Sequence, residues 1–279
     1  DTMKTILIPI DFSSTSSKAL EIGASIAKRI SAKIVLTHMA GIEEGVLTKK
    51  TNFEEALYHS KLAEKQFSGL LQQPFLEGVL VEPVLQKKLN FSSINIFAKD
   101  IDASLIVMGS RGSSGLNEIF KGSNAEKVVR SSEIPLLVVK ENELAFAPER
   151  LIFASNFDEE TCDAYSKIVE IAGLLSVHIE LLYVNLPGKE FMSTIEMDEK
   201  LLRFFKKVRH SDPVKAIKTV KRVADYSVEE GVFNFASLTG ADIIAIATHG
   251  RKGLSHLLNG SIGEDIANHS TLPVLTVKI

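Results

Sequence analysis

The sequence predicts an α/β fold built as two tandem doubly wound domains, and three observations carry that prediction. The chain repeats itself once; strand-sized apolar runs alternate with helix-length amphipathic stretches in each copy; and those runs are apolar along their whole length. Strands buried on both faces read as continuous apolar segments, whereas half-solvated strands alternate with period two. The sheet is therefore expected to be mostly parallel, with helices on both faces.

The repeat is explicit. Gly112-Ser-Ser-Gly-Leu followed by Gly122-Ser123 returns as Gly250-Arg-Lys-Gly-Leu followed by Gly260-Ser261, 138 positions later, and Pro135 and Pro273 keep the same spacing. The opening strands align Asp11 with Asn156, an offset of 145, so the second copy is seven residues shorter in its middle. At 279 residues the chain suits two domains of about 140 residues each. The expected division is 1–143 and 148–279, with the boundary in the polar, proline-bearing stretch from Glu141 to Glu149.

Each copy opens with an apolar strand, Ile6 to Ile10 or Leu151 to Ala154, then a polar turn and an amphipathic helix such as Ser16 to Ile30. A second strand follows at Ile34 to Thr37 or Ile179 to Tyr183. Next come a long helix, Asn52 to Gln72 or Phe191 to Arg209, and a third strand, Val79 to Leu85 or Ala216 to Val223. After another helix the fourth strands run from Ser104 to Met108 and from Ile243 to Ala247. Each copy closes with a loop, a helix (Asn124 to Ser131; Ile262 to Ser270) and a last strand (Leu136 to Val139; Val274 to Val277).

The composition is that of an ordinary globular protein, 45% hydrophobic and 24% charged. A net charge of −3 offers no global attraction for nucleic acid or anionic lipid. The single cysteine, Cys162, cannot form an intrachain disulfide, and a reducing compartment, the cytoplasm, is expected. The longest apolar runs, such as Leu105 to Met108, are strand-sized rather than membrane-spanning.

Ligands of open parallel sheets bind at the carboxyl ends of the strands, where strand order reverses. In the first copy Gly109-Ser-Arg-Gly112 follows the fourth strand and Gly122-Ser123 opens the next helix. Glycines let a backbone approach a ligand closely, and free amides at a helix start favour an anion such as phosphate. The same glycines also suit a bare turn, and Ser123-x-x-Glu126 and Ser261-x-x-Glu264 suit capping boxes. Neither copy carries a Walker motif or a G-x-G-x-x-G after its first strand, which disfavours Walker-type hydrolysis and dinucleotide redox chemistry.

Gly-x2-Gly-x9-Gly-Ser after a fourth strand, together with Pro9-Ile-Asp11 ending the first, resembles the universal stress protein family over nearly the whole chain, twice. The resemblance implies a five-stranded parallel sheet per domain, of the adenine nucleotide α-hydrolase-like kind. It also implies a stress-response regulator that holds ATP, with Mg2+ as an optional companion, without a Walker motif. By motif position, Asp11 would meet the ribose or adenine and Met39 would line the adenine pocket through its backbone, with Pro9 and Met108 among the nucleotide-binding positions. Gly109, Arg111, Gly112, Gly122, Ser123 and Asn124 would surround the phosphates. The chemistry suits these roles: Asp11 accepts from sugar hydroxyls, Ser123 donates a hydroxyl and Arg111 is a permanent cation. Asp11 also suits a turn or cap before the first helix.

In the second copy Asn156 replaces the aspartate and Ala247 the first glycine, so a second site at Asn156, His249, Gly250, Gly260 and Ser261 is expected to be weaker, altered or empty. Fifth strands that pair edge to edge, within the chain or in a homodimer, also follow from the resemblance. No catalyst, general base or metal spacing stands out, so hydrolysis would be slow at most; a non-nucleotide interaction protein is the rival reading. The signals of nucleotidyl transferases and ATP pyrophosphatases, His-x-Gly-His and Ser-Gly-Gly-x-Asp-Ser, are absent. The basic stretch Lys206, Lys207, Arg209, Lys215, Lys218, Lys221, Arg222 reads as a solvated face, and Lys218, Val220 and Arg222 as an edge strand.

Overall fold

A computed structural model describes residues 3–38, 53–84, 93–110, 128–129, 131–140, 146–248 and 262–279. The chain divides into two compact units, and along the described residues one gives way to the other between Phe146 and Ala147. The first contains β1 (Thr5–Ile10), α1 (Ser14–Ile30), β2 (Lys33–His38), α2 (Phe53–Leu71), β3 (Val81–Val84), α3 (Ile94–Asp100), β4 (Ala103–Ser110) and β5 (Leu136–Lys140). The second contains β6 (Arg150–Ala154), α4 (Cys162–Leu175), β7 (His178–Asn185), α5 (Thr194–Lys207), α6 (Pro213–Thr219), β8 (Lys221–Ala224), α7 (Val228–Thr239), β9 (Ile243–Thr248), α8 (Ile262–His269) and β10 (Val274–Lys278).

Strand order in the first unit is β3-β2-β1-β4-β5, and every pair in it is parallel. The second unit has β8-β7-β6-β9-β10, again all parallel. Both are doubly wound five-stranded sheets whose order reverses between the first and fourth strands. The apolar runs explain this: all six residues of β1 are buried, as are Leu151 to Ala154 of β6. Covering an Ile or Leu completely contributes about 1.5–3 kcal/mol. Only a sheet sandwiched between helices covers both faces of such strands.

One expected element differs. The stretch from Ala216 to Thr219 is helix, and the strand is confined to Lys221–Ala224. Asp212 caps this helix by accepting from Lys215 N at 3.0 Å, and Pro213 takes the first helical position, where its missing N–H costs nothing. Local capping outweighs the period-two pattern of Lys218, Val220 and Arg222. The expected basic face is also partly neutralised, with Lys207 pairing Glu159 at 3.2 Å and Arg222 pairing Asp198.

The repeat extends to backbone conformations that sequence does not announce. Phe12 and Phe157, 145 positions apart, both lie in the left-handed region, at φ 62° and 54°. Ser31 and Ser176, with the same offset, end α1 and α4 in that conformation as well. A bulky residue there costs on the order of 1–3 kcal/mol and persists only where its surroundings hold it. The Phe12 ring packs on His38, with centroids 4.7 Å apart, and edge-on to Phe67 at 5.4 Å. Phe157 packs edge-on to Phe204 at 5.2 Å and is almost fully buried.

Gly109 near the end of β4 lies hard against the first turn of α1: a Cβ built there would stand 2.4 Å from the Thr15 carbonyl oxygen. Backbone cannot swing aside as a side chain can. Gly109→Ala is expected to lower stability by about 1–3 kcal/mol in urea titration, whereas Ala247→Gly at the repeat-related position should cost about 1 kcal/mol or less. Equal effects of the two substitutions would contradict this account of Gly109.

Candidate functional site

At the carboxyl edge of the first unit, where its strand order reverses, the hydrogen-bond ladder between β1 and β4 ends early, at a proline. The β1–β4 ladder holds only from Thr5↔Ala103 to Leu7↔Ile106 and stops short of Pro9. Proline has no N–H to donate, so it is tolerated where a ladder ends. On its other side Pro9 still pairs with Thr37 of β2. The second unit has Ala154 at the related position, and its β6–β9 ladder runs on to Ala154↔Ile246. Relative to the repeat, the ladder of the first unit ends two rungs earlier at the switch point.

Asp11 stands at that edge, exposed, one residue beyond the end of β1. Its Oδ1 accepts from Ser13 N at 3.0 Å and from Ser13 Oγ at 2.5 Å. Ser13 in turn caps α1, its Oγ accepting from Ser16 N at 3.2 Å. Burial pushes the Asp11 carboxyl up, but the hydrogen bonds from Ser13 and Ser16 outweigh it and hold the group below its ordinary value. The site therefore presents a fixed anion with acceptor capacity to spare. Asp11 forms the turn before the helix, and it is exposed at the carboxyl edge.

His38 ends β2 opposite Ile10 and lies 3.3 Å from the Ile10 carbonyl through Nδ1. Since a carbonyl only accepts, that contact needs the proton on Nδ1. Burial lowers the pKa of His38, against the pull of the Asp11 charge, which favours the neutral ring. Phe12, His38 and Phe67 thus form a half-open aromatic wall beside Asp11. The sequence motif includes neither Phe12 nor His38; the phenylalanine that follows Asp11 and Asn156 in the two copies is the signal for the first.

The second unit answers each feature with a closed one. Asn156 Oδ1 accepts from Asp158 N at 3.1 Å, keeping the turn, while its Nδ2 donates to Asp158 Oδ2 at 2.6 Å. Asp158 is also paired with Lys200 of α5 at 2.8 Å and does not cap the helix, which begins instead with a 3-10 turn at Glu159–Thr161. Phe157 is enclosed by Phe153, Tyr183, Phe204 and Phe205. Asn185, at the end of β7, holds the Met192 backbone from both sides, at 2.9 and 3.0 Å. Asn156 itself is exposed, as Asp11 is, but it is tied to Asp158 and the phenylalanine that follows it is buried. Cys162 is buried at the start of α4, and burial pushes its thiol up, the opposite of an activated thiolate.

Of the residues expected at the first site, Pro9, Asp11, Met108 and Gly109 are described, and all four lie at the carboxyl ends of β1 and β4. Met39, Arg111, Gly112, Gly122, Ser123 and Asn124 lie outside the described residues, as do His249, Gly250, Gly260 and Ser261 of the second. Among the described residues no group of three His, Cys, Asp or Glu side chains is placed to hold a metal ion, and no helix is long and apolar enough to cross a membrane.

Comparison with known proteins agrees with this architecture. The family model of the universal stress protein family matches twice, over residues 2–140 and 149–278. A universal stress protein of Methanocaldococcus jannaschii is 30% identical over 149 residues, covering 49% of this chain and 82% of its own length. One from Mycolicibacterium smegmatis is 23% identical and spans 98% of this chain and 96% of its own. Among solved structures, a universal stress protein from Archaeoglobus fulgidus superposes with a TM-score of 0.69 at 20% identity, covering 98% of both chains. With both halves matched in turn, the chain belongs to the universal stress protein family as a tandem, two-copy member.

Proposed function

We propose that the first unit binds an adenine nucleotide, ATP in the first instance, at the carboxyl ends of β1 and β4, and that the protein acts as a stress-response nucleotide sensor or regulator. The observation that carries this reading is the early end of the ladder at the switch point: it stops before Pro9 in the first unit and reaches the related position, Ala154, in the second. Open sheets take their ligands in such crevices. Asp11 supplies acceptors for ribose hydroxyls beside the aromatic wall of Phe12 and His38. On this reading Met39 and Met108 line the adenine side, and Gly109, Arg111, Gly112, Gly122, Ser123 and Asn124 hold the phosphates, with or without Mg2+.

The second unit is proposed as a partner rather than a second ATP site, because Asn156, Asp158 and Lys200 occupy one another and Phe157 is enclosed. Pairing of β5 with β10 within the chain, or with a second copy, is the proposed means of covering their edges. Nucleotide occupancy then biases conformation or partner binding, with hydrolysis slow at most and the cytoplasm as the site of action.

Calorimetry is expected to find one ATP site per chain. Asp11→Ala should weaken it about tenfold or more by removing charge-assisted hydrogen bonds, and Gly122→Val should abolish it. Asn156→Ala should leave it unchanged. Absence of any adenine-nucleotide binding by folded protein would overturn the proposal in favour of a non-nucleotide interaction protein.

A further inference from the structure

One side chain of the second strand grips both chain neighbours of Asp11. His38, the last residue of β2, has its Nδ1 3.3 Å from the Ile10 carbonyl oxygen and its ring centroid 4.7 Å from that of Phe12. Ile10 closes β1, and Phe12 lies beyond Asp11 in the left-handed region, so the two contacts straddle the residue proposed to meet the ribose. Phe67 of α2 backs both rings edge-on, at 5.4 Å from Phe12 and 6.5 Å from His38.

The second unit holds the same turn by a different bond. Ser155, which the repeat relates to Ile10, accepts from Phe157 N through its own Oγ at 2.9 Å and so bridges Asn156 locally. Isoleucine has no hydroxyl with which to do this. Tyr183, which the repeat relates to His38, keeps a looser ring contact with Phe157, with centroids 6.5 Å apart. Its hydroxyl donates to Met192 Sδ at 3.1 Å, in the loop beyond β7, rather than to a carbonyl of β6. The turn is thus held from within in the second unit and across strands in the first.

A phenylalanine at positive φ persists only where its surroundings over-determine it. The bonds from Ser13 secure Asp11 on the helix side of the turn, and His38 secures the strand side. Loss of the cross-strand grip lets the segment from Ile10 to Phe12 relax, and the carboxylate between them relaxes with it.

We infer that His38 is a positioning residue of the proposed nucleotide site, holding the Asp11 carboxylate in place through the Nδ1–H bond to Ile10 and the ring contact with Phe12. This rests on the nucleotide reading above and adds a residue that acts through Asp11 rather than on the ligand. A side chain held ready forfeits less entropy on binding, so the removal of such a residue shows in affinity even where the fold survives.

Two substitutions in the full chain separate positioning from packing. His38→Phe keeps a ring against Phe12 and removes the donor; His38→Asn keeps a donor near the Nδ1 position and removes the ring. Positioning places them in opposite orders in two readouts. His38→Phe should melt close to wild type yet bind ATP about tenfold more weakly, whereas His38→Asn should melt lower yet bind within about threefold of wild type. Affinities that simply follow the melting temperatures would overturn the inference. In an Asp11→Ala background His38→Phe should weaken ATP no further, since the two residues act as one; additive losses would overturn it as well. Hydrogen exchange of the Ser13 amide, which donates to Asp11 Oδ1 at 3.0 Å, reads the same positioning without ligand. It should be about tenfold faster in His38→Phe and near the wild-type rate in His38→Asn, and an unchanged rate in His38→Phe overturns the inference. Failure of wild type to bind ATP overturns the nucleotide reading, and the exchange rates then still decide whether His38 holds Asp11.

Discussion

The geometry of both units depends on one strained turn, the left-handed phenylalanine that follows the first strand. At Phe12 and Phe157 the chain reverses direction between strand and helix without a glycine to ease it. The cost is met by ring packing on the second strand and the helix after it. That packing fixes the residue before each phenylalanine, Asp11 or Asn156, at the carboxyl edge of the sheet. A side chain held by the backbone on either side of it is pre-organised, and pre-organisation lowers the entropy that a ligand must forfeit on binding.

Two copies built on the same turn have diverged in opposite senses. The first keeps an anion at the edge, a proline that stops the ladder and a half-open aromatic wall. The second runs its ladder to the rim, closes its aromatic cluster around Phe157 and ties Asp158 to Asn156 and Lys200. The second arrangement has the character of a core and the first that of a site. Burying a full aromatic cluster is worth several kcal/mol of stability to the second unit.

Most of the fold was legible because its signals are local. Continuous apolar runs announced buried parallel strands, the repeated glycine loop announced two copies, and strand ends came out within a residue or two. The stretch at Ala216 to Thr219 was misread because Asp212-Pro213, a helix-start signal, competed with an alternating pattern that happened to extend into a strand. At the site, Pro9 and Asp11 were legible as a motif. What Pro9 does to the β1–β4 ladder was not, since register is a property of two distant segments. The left-handed Phe12 was equally hidden, since phenylalanine carries no preference for positive φ.

The two copies differ at the switch point: the first-to-fourth-strand ladder ends early in one and runs to the rim in the other. A crystal structure of the full chain grown with ATP tests it most directly. Nucleotide lying against Asp11 and Gly109 of the first unit, with the corresponding edge of the second unit empty around Asn156, is the predicted result. Nucleotide in the second unit, or a first unit that excludes ATP, would contradict it.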